Sequence, residues 1–117
     1  MLADLVRKNR SYRRFYQDQA VSEETLRGLV DLARLTPSGR NVQPLRYMLS
    51  WTPELNAEIF PMLAWAGYLT DWQGPEAGEQ PSAYIIILGD KQVSPNFGVD
   101  PGIVAQTMLL GATEKGL

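Results

Sequence analysis

The sequence predicts an α+β chain in which four helices surround two strands. Three observations carry that expectation. Leu26, Leu29, Val30 and Ala33 recur at helical spacing behind a strong start signal. Ala83-Tyr84-Ile85-Ile86-Ile87-Leu88 is an almost unbroken apolar, β-branched run, as expected of a strand buried on both faces. Ile103, Val104, Thr107, Met108 and Leu110 then form a second helical stripe.

The elements follow in order. Leu2, Leu5 and Val6 mark a short amphipathic helix over residues 2–8. It runs into Asn9-Arg10-Ser11-Tyr12-Arg13-Arg14-Phe15, a turn that concentrates three arginines and a serine. Ser22 is a good N-cap for the second helix, Glu23 and Glu24 suit its positive end, and Val21 can staple to Leu26. That helix stops at Thr36, because the residue before Pro37 is pushed out of helical geometry. Pro37-Ser38-Gly39-Arg40-Asn41-Val42-Gln43-Pro44 is a proline-bounded loop of small and amide residues.

Arg46–Trp51 reads as a strand, and Thr52-Pro53 opens a third helix whose apolar face is Leu55, Ile59 and Met62, limited by Pro61. Residues 65–81, with Trp65, Tyr68, Trp72, three glycines and two prolines, read as a helical turn leading into a loop. Asp100-Pro101 caps the last helix. Within it Gly111 continues the apolar face without a side chain, inviting close approach, and Gly116 closes it. Two strands with four helices rarely make a complete domain. The expectation is a single domain over 1–117 that continues in further chain.

Composition narrows the chemistry. The 117 residues are 44% apolar and 21% charged, as in ordinary soluble chains. The net charge of −2 gives no basic field for nucleic acid or an anionic membrane, and the cytoplasm is the default location. Cysteine and histidine are both absent, which removes disulfides, thiol nucleophiles, Ser-His-Asp triads and the commonest zinc sites. Redox chemistry would therefore need a borrowed cofactor. No residue is marked as catalytic and no metal site is expected.

Two segments hold most of the polar chemistry. Arg10, Ser11 and Arg13 offer the guanidinium and hydroxyl donors a phosphate needs, although this stretch alone is better explained by a solvated basic helix end whose arginines cap carbonyls and pair with Asp4 or Asp18. Asn41 and Gln43 each carry a donor and an acceptor, able to match a heterocyclic edge or merely to satisfy backbone groups of their own loop.

The order Arg-Ser-x-Arg-x-Phe, a helix, Pro-Ser-Gly-x-Asn-x-Gln-Pro and a strand resembles the FMN-dependent nitroreductase family. Pro81-Ser82-Ala83 leading into Tyr84–Leu88 is similar to that family's central strand. The run from Asp100-Pro101-Gly102 to Lys115-Gly116-Leu117 is similar to its long core helix. The resemblance implies a central, mostly antiparallel sheet flanked by helices, incomplete in this chain. It implies FMN held by Arg10, Ser11 and Arg13 at the phosphate and ribityl end, and by Pro37, Ser38, Asn41 and Gln43 from the other subunit of a homodimer. Trp65, Tyr68 and Trp72 would line the substrate pocket. NAD(P)H would serve as electron donor to a nitroaromatic or quinone acceptor in a ping-pong scheme. The alternative is a non-catalytic flavin-binding or interaction module. Two departures stand out: Asn9 where the family often has another arginine, and Leu45 where an aromatic residue is common.

Overall fold

A computed structural model describes residues 1–117. The chain forms α1 (Leu2–Lys8), α2 (Glu23–Arg34), β1 (Leu45–Ser50), α3 (Pro53–Ile59), β2 (Tyr84–Gly89) and α4 (Asp100–Glu114). β1 and β2 pair antiparallel, with Leu45 opposite Gly89 and Ser50 opposite Tyr84. The ladder is extended by the Asp90 amide, which donates to the Pro44 carbonyl at 2.8 Å. The first strand thus begins and ends one residue earlier than Arg46–Trp51. β2 is not buried on both faces: with a single neighbouring strand it stays half-covered, and Leu88 is exposed.

The core lies where α2 crosses α4 above the sheet. Leu29 and Ala33 of α2 meet Val104 and Met108 of α4, with Tyr47, Ile85 and Ile87 packed beneath. Gly111 makes that crossing possible, since a Cβ there would stand 2.5 Å from Leu32 Cδ1 and 3.1 Å from Leu29 Cδ2. The helix ends obey local chemistry. The Ser22 hydroxyl accepts from the Thr25 amide at 3.1 Å, and Thr52 Oγ1 accepts from the Leu55 amide at 3.3 Å. Beyond α4, Gly116 takes φ +80°, and the Leu117 and Gly116 amides donate back to Ala112 and Thr113, the Schellman arrangement.

Two expectations change. Met62 is exposed, and the buried face of α3 is Asn56 with Ile59. Asn56 Oδ1 accepts from the buried Ser50 hydroxyl, and its Nδ2 donates to the Ser82 carbonyl at 2.7 Å. One amide therefore ties the end of β1, α3 and the approach to β2 together, satisfying groups that would be costly to bury alone. Residues 65–81 contain no helix; they run through hydrogen-bonded turns, such as the Leu69 amide to the Ala66 carbonyl at 2.7 Å. No helix is long and apolar enough to cross a membrane.

Candidate functional site

The arginine segment is extended and follows α1 directly. Its fastening to the core comes from Asn9. The Asn9 Nδ2 donates to Thr113 Oγ1 at 3.3 Å, and Gln106 Nε2 donates to Asn9 Oδ1 at 3.1 Å. Gln106 and Thr113 lie seven positions apart, two turns along one face of α4. The asparagine that departs from the family pattern is therefore an anchor here.

Past Asn9, the side chains meet the aromatic segment. The Arg13 guanidinium lies 5.7 Å from the centre of the Tyr68 ring, and that of Arg14 lies 5.9 Å from the Trp72 ring. Contacts of this kind contribute about 0.5–1 kcal/mol at exposed positions. Phe15 stacks edge-on with Trp65 at 6.5 Å, and Trp65 also contacts Phe60 and Trp72. Trp65 and Trp72 are half-buried within this cluster, whereas Tyr68 is 75% exposed. Gly74, at φ +112°, leaves room for the Trp65 ring, which a Cβ would meet at 2.7 Å. The structure thus brings Arg13 and the three candidate pocket aromatics to one place. Gln17 braces the strip from behind, its Oε1 accepting from the Gly78 amide at 2.6 Å and the Gln80 amide at 3.2 Å.

The second segment is built around Ser38 and Asp100. The Ser38 hydroxyl donates to Asp100 Oδ2 at 2.5 Å and accepts from the Gln43 amide at 3.0 Å, while the Gly39 amide donates to Asp100 Oδ1 at 2.9 Å. Within this frame Arg40, Asn41 and Gln43 adopt φ of +54°, +56° and +55°. Left-handed conformations cost non-glycine residues about 1–2 kcal/mol each, so the loop persists because its hydrogen bonds over-determine it. The Asn41 and Gln43 side chains are exposed and make no hydrogen bond, so they do not serve their own loop. Pro37 is exposed beside them.

Asp100 was expected to cap α4. It instead occupies the first helical position, after Val99, and its carboxylate reaches back to the loop. It is buried, at 5% exposure. The Ser38 hydroxyl bond, then the Gly39 amide, hold its carboxyl below the ordinary carboxylate value, against the opposing effect of burial. Tyr47 on β1 is pushed the other way, first by burial and then by the Asp100 charge. A groove of about 860 Å³ opens beside this loop, with Val30, Ala33, Tyr47, Val93, Asp100 and Val104 among its walls. Sequence reasoning passed over Asp100 because Asp-Pro is an ordinary helix start. Nothing local signals a partner 62 residues upstream.

The two segments are not joined by any hydrogen bond or ion pair. Both are fastened to α4, one at Asp100 and the other at Gln106 and Thr113. From Asp100 to Thr113 the helix rises about 20 Å at 1.5 Å per residue. They do share one property. Five of the eight arginines, Arg7, Arg14, Arg27, Arg34 and Arg46, pair with a carboxylate. The three that do not are Arg10, Arg13 and Arg40, all in these segments. Arg10 only spans the carbonyls of Val6 and Asn9 at 3.1 and 2.7 Å, and the Ser11 hydroxyl has no partner. Guanidinium donors without a carboxylate partner, held only by backbone carbonyls and the Tyr68 ring, thus stand with the free Ser11 hydroxyl and the free Asn41 and Gln43 amides, a donor set whose chemistry fits a flavin mononucleotide.

The nitroreductase family profile matches residues 6–73, and the chain belongs to the nitroreductase family. A search of curated proteins found no significant match. Among solved structures, the chain resembles a nitroreductase in complex with FMN from Desulfovibrio desulfuricans, at 26% identity and TM-score 0.73 over 97% of this chain and 63% of that one. It also resembles a nitroreductase family protein from Clostridium difficile, at 29% identity and TM-score 0.67 over 96% of this chain and 62% of that one. Iodotyrosine deiodinase bound to FMN and 3-iodo-L-tyrosine shares the fold, at 22% identity and TM-score 0.75 over 99% of this chain and 71% of that one. The chain spans less than two thirds of the length of the first two. Its helices and two-stranded antiparallel sheet are an incomplete part of the nitroreductase fold.

Proposed function

We infer that the protein is a flavin-dependent oxidoreductase that holds FMN with the two segments described above. Held there, FMN would supply hydride chemistry between NAD(P)H and an electron-poor acceptor, a nitroaromatic or a quinone, in separate half-reactions. The observation that carries this reading is the set of donors that no carboxylate neutralises: Arg10, Ser11 and Arg13 on one segment, Asn41 and Gln43 on the other.

The residues divide the work by their chemistry. Arg10 and Arg13 neutralise the phosphate and donate to its oxygens, with the Ser11 hydroxyl as a third donor. Arg13 starts from its position over Tyr68, which restricts its rotamers before any ligand arrives. Pro37 and the Ser38 backbone bring the loop to the ring, and the Asn41 and Gln43 amides donate to and accept from its polar edge. The lack of cysteine and histidine is compatible with this scheme, which needs no protein nucleophile. Tyr68 and Trp72 shape the face that the acceptor meets, with Trp65 supporting Trp72 within the aromatic cluster.

The separate anchoring of the two segments on α4 supports a homodimer, in which the Pro37–Gln43 loop of one subunit serves the arginine segment of the other. The reading is tested by loading the protein with FMN and following NAD(P)H oxidation with a nitroaromatic or quinone. Turnover is expected. Bound flavin without turnover with any donor–acceptor pair points to the non-catalytic module. Replacing Arg10 and Arg13 together by alanine should release the yellow cofactor, each lost charge-assisted contact weakening binding by about 10- to 100-fold. Full retention of FMN by that variant would refute the site.

A further inference from the structure

We propose that Asp100 is a positioning residue for the cofactor, holding the Asn41 and Gln43 amides toward the flavin through Ser38. The inference rests on the flavin reading above and assigns a residue outside both cofactor segments.

Asp100 is the only buried carboxylate in the chain, and it pairs with no lysine or arginine. A buried charge without a counter-ion needs strong hydrogen bonds, and both come from the loop: the Ser38 hydroxyl and the Gly39 amide. The position at the start of α4 adds the favourable end of the helix dipole. The Ser38 oxygen then accepts from the Gln43 amide, so the carboxylate fixes Gln43 at one remove. Three left-handed residues lie within or at the end of this relay, Arg40, Asn41 and Gln43. Their side chains point away from the loop's own hydrogen bonds only while that backbone is held. Ser38 thereby changes role: its hydroxyl is committed inward as donor and acceptor, and what it offers a ligand is the geometry of its neighbours.

A carboxylate suits this task better than an amide would. Two oxygens accept from two donors at once, whereas asparagine would turn an NH₂ toward the Ser38 hydroxyl and keep only the Gly39 bond in its present sense. The proposal therefore predicts a graded series, with alanine worst and asparagine intermediate.

FMN is titrated into the full protein and its Asp100→Ala, Asp100→Asn and Ser38→Ala variants. Fluorescence quenching gives the affinity, and the visible absorption band at saturation reports the surroundings of the ring. Asp100→Ala and Ser38→Ala should each weaken FMN by about 10- to 100-fold and shift the band of bound flavin toward that of free flavin. Asp100→Asn should fall between them and the unaltered protein. Arg10→Ala is the control, expected to weaken binding while leaving the band unchanged. Without flavin, amide exchange at Gln43 should accelerate in both alanine variants. A folded Asp100→Ala that binds FMN with unaltered affinity and spectrum overturns the proposal and leaves the flavin reading standing. If Asp100→Ala fails to fold, Ser38→Ala decides, and an unaltered affinity and spectrum there overturns the relay. Failure of the unaltered protein to bind FMN overturns both readings together.

Discussion

Gly28 in α2 and Gly111 in α4 both lie inside helices, but only Gly111 faces the α2–α4 packing, and the same substitution should affect them oppositely. In a helix interior, alanine is favoured over glycine by about 1 kcal/mol, because glycine loses more backbone freedom on folding. At Gly28 a new Cβ meets nothing within 4 Å, so Gly28→Ala should stabilise the protein by about 0.5–1 kcal/mol. At Gly111 the Cβ would stand 2.5 Å from Leu32 Cδ1 and 3.1 Å from Leu29 Cδ2. Carbon atoms pack favourably at about 3.5–4 Å, so one methyl must move by roughly 1 Å. Leu32 is half-buried and can yield, but Leu29 is at 4% exposure in the core and cannot yield without repacking. Overpacking of this kind costs about 1–3 kcal/mol, which leaves Gly111→Ala neutral to about 2 kcal/mol less stable after the propensity gain. Equilibrium urea unfolding of the two variants should separate them by roughly 1–3 kcal/mol with unchanged m-values. If Gly111→Ala gains as much as Gly28→Ala, the close approach of α2 to α4 is not what holds that glycine.

Further outcomes follow from the hydrogen bonds around α4. The lowered Asp100 pKa means that its contribution is fully present above the ordinary value of 3.8 and is lost as pH falls through its folded value. The unaltered protein should therefore exceed Asp100→Asn in urea midpoint near neutrality, with the gap closing below pH 3.8. Tyr47 has a raised pKa, so its contribution is intact below the ordinary value of 10.0 and lost as pH rises through the folded value. Its phenolate absorbance should appear later than that of a free tyrosine, and Asp100→Asn should bring it earlier. Asn9→Ala removes two hydrogen bonds to α4 and should cost about 1–2 kcal/mol in unfolding, with weaker FMN binding from the loosened arginine segment.

Local chemistry made much of the fold legible. Ser22 and Thr52 act as caps, Gly116 closes α4, and Gly111 marks the crossing, because each role is decided within one helical turn or by one missing side chain. The β-branched run at Tyr84–Leu88 announced its strand, although its burial depended on how many strands flank it, which periodicity does not encode. The errors came from long-range partners. The apolar face expected for α3 left out Asn56, whose burial depends on bonds from Ser50 and to Ser82, and it took in Met62, which is apolar but exposed. The turns of residues 65–81 have no period to read and are shaped instead by the packing of Trp65 against Phe15, Phe60 and Trp72.

The candidate site divides the same way. The composition of both segments pointed to anion and heterocycle donors, and the structure pairs Arg10, Arg13, Asn41 and Gln43 with no carboxylate. The supports were hidden, since an aspartate before proline and an asparagine before arginine have commonplace local explanations. Asn9 and Asp100 acquire their meaning only through α4.

That shared attachment makes the spacing of the site a matter of helical phase. A one-residue insertion between Asp100 and Gln106 would advance one anchor by about 1.5 Å and swing it by about 100° relative to the other. Such a change would leave every donor side chain in place in the sequence and still put the two halves out of step. Substitutions along α4 away from Asp100, Gln106, Gly111, Thr113 and the core residues Val104 and Met108 are therefore tolerable one by one, while insertions and deletions are not. The length of this helix is under as tight a constraint as the residues that would touch the cofactor.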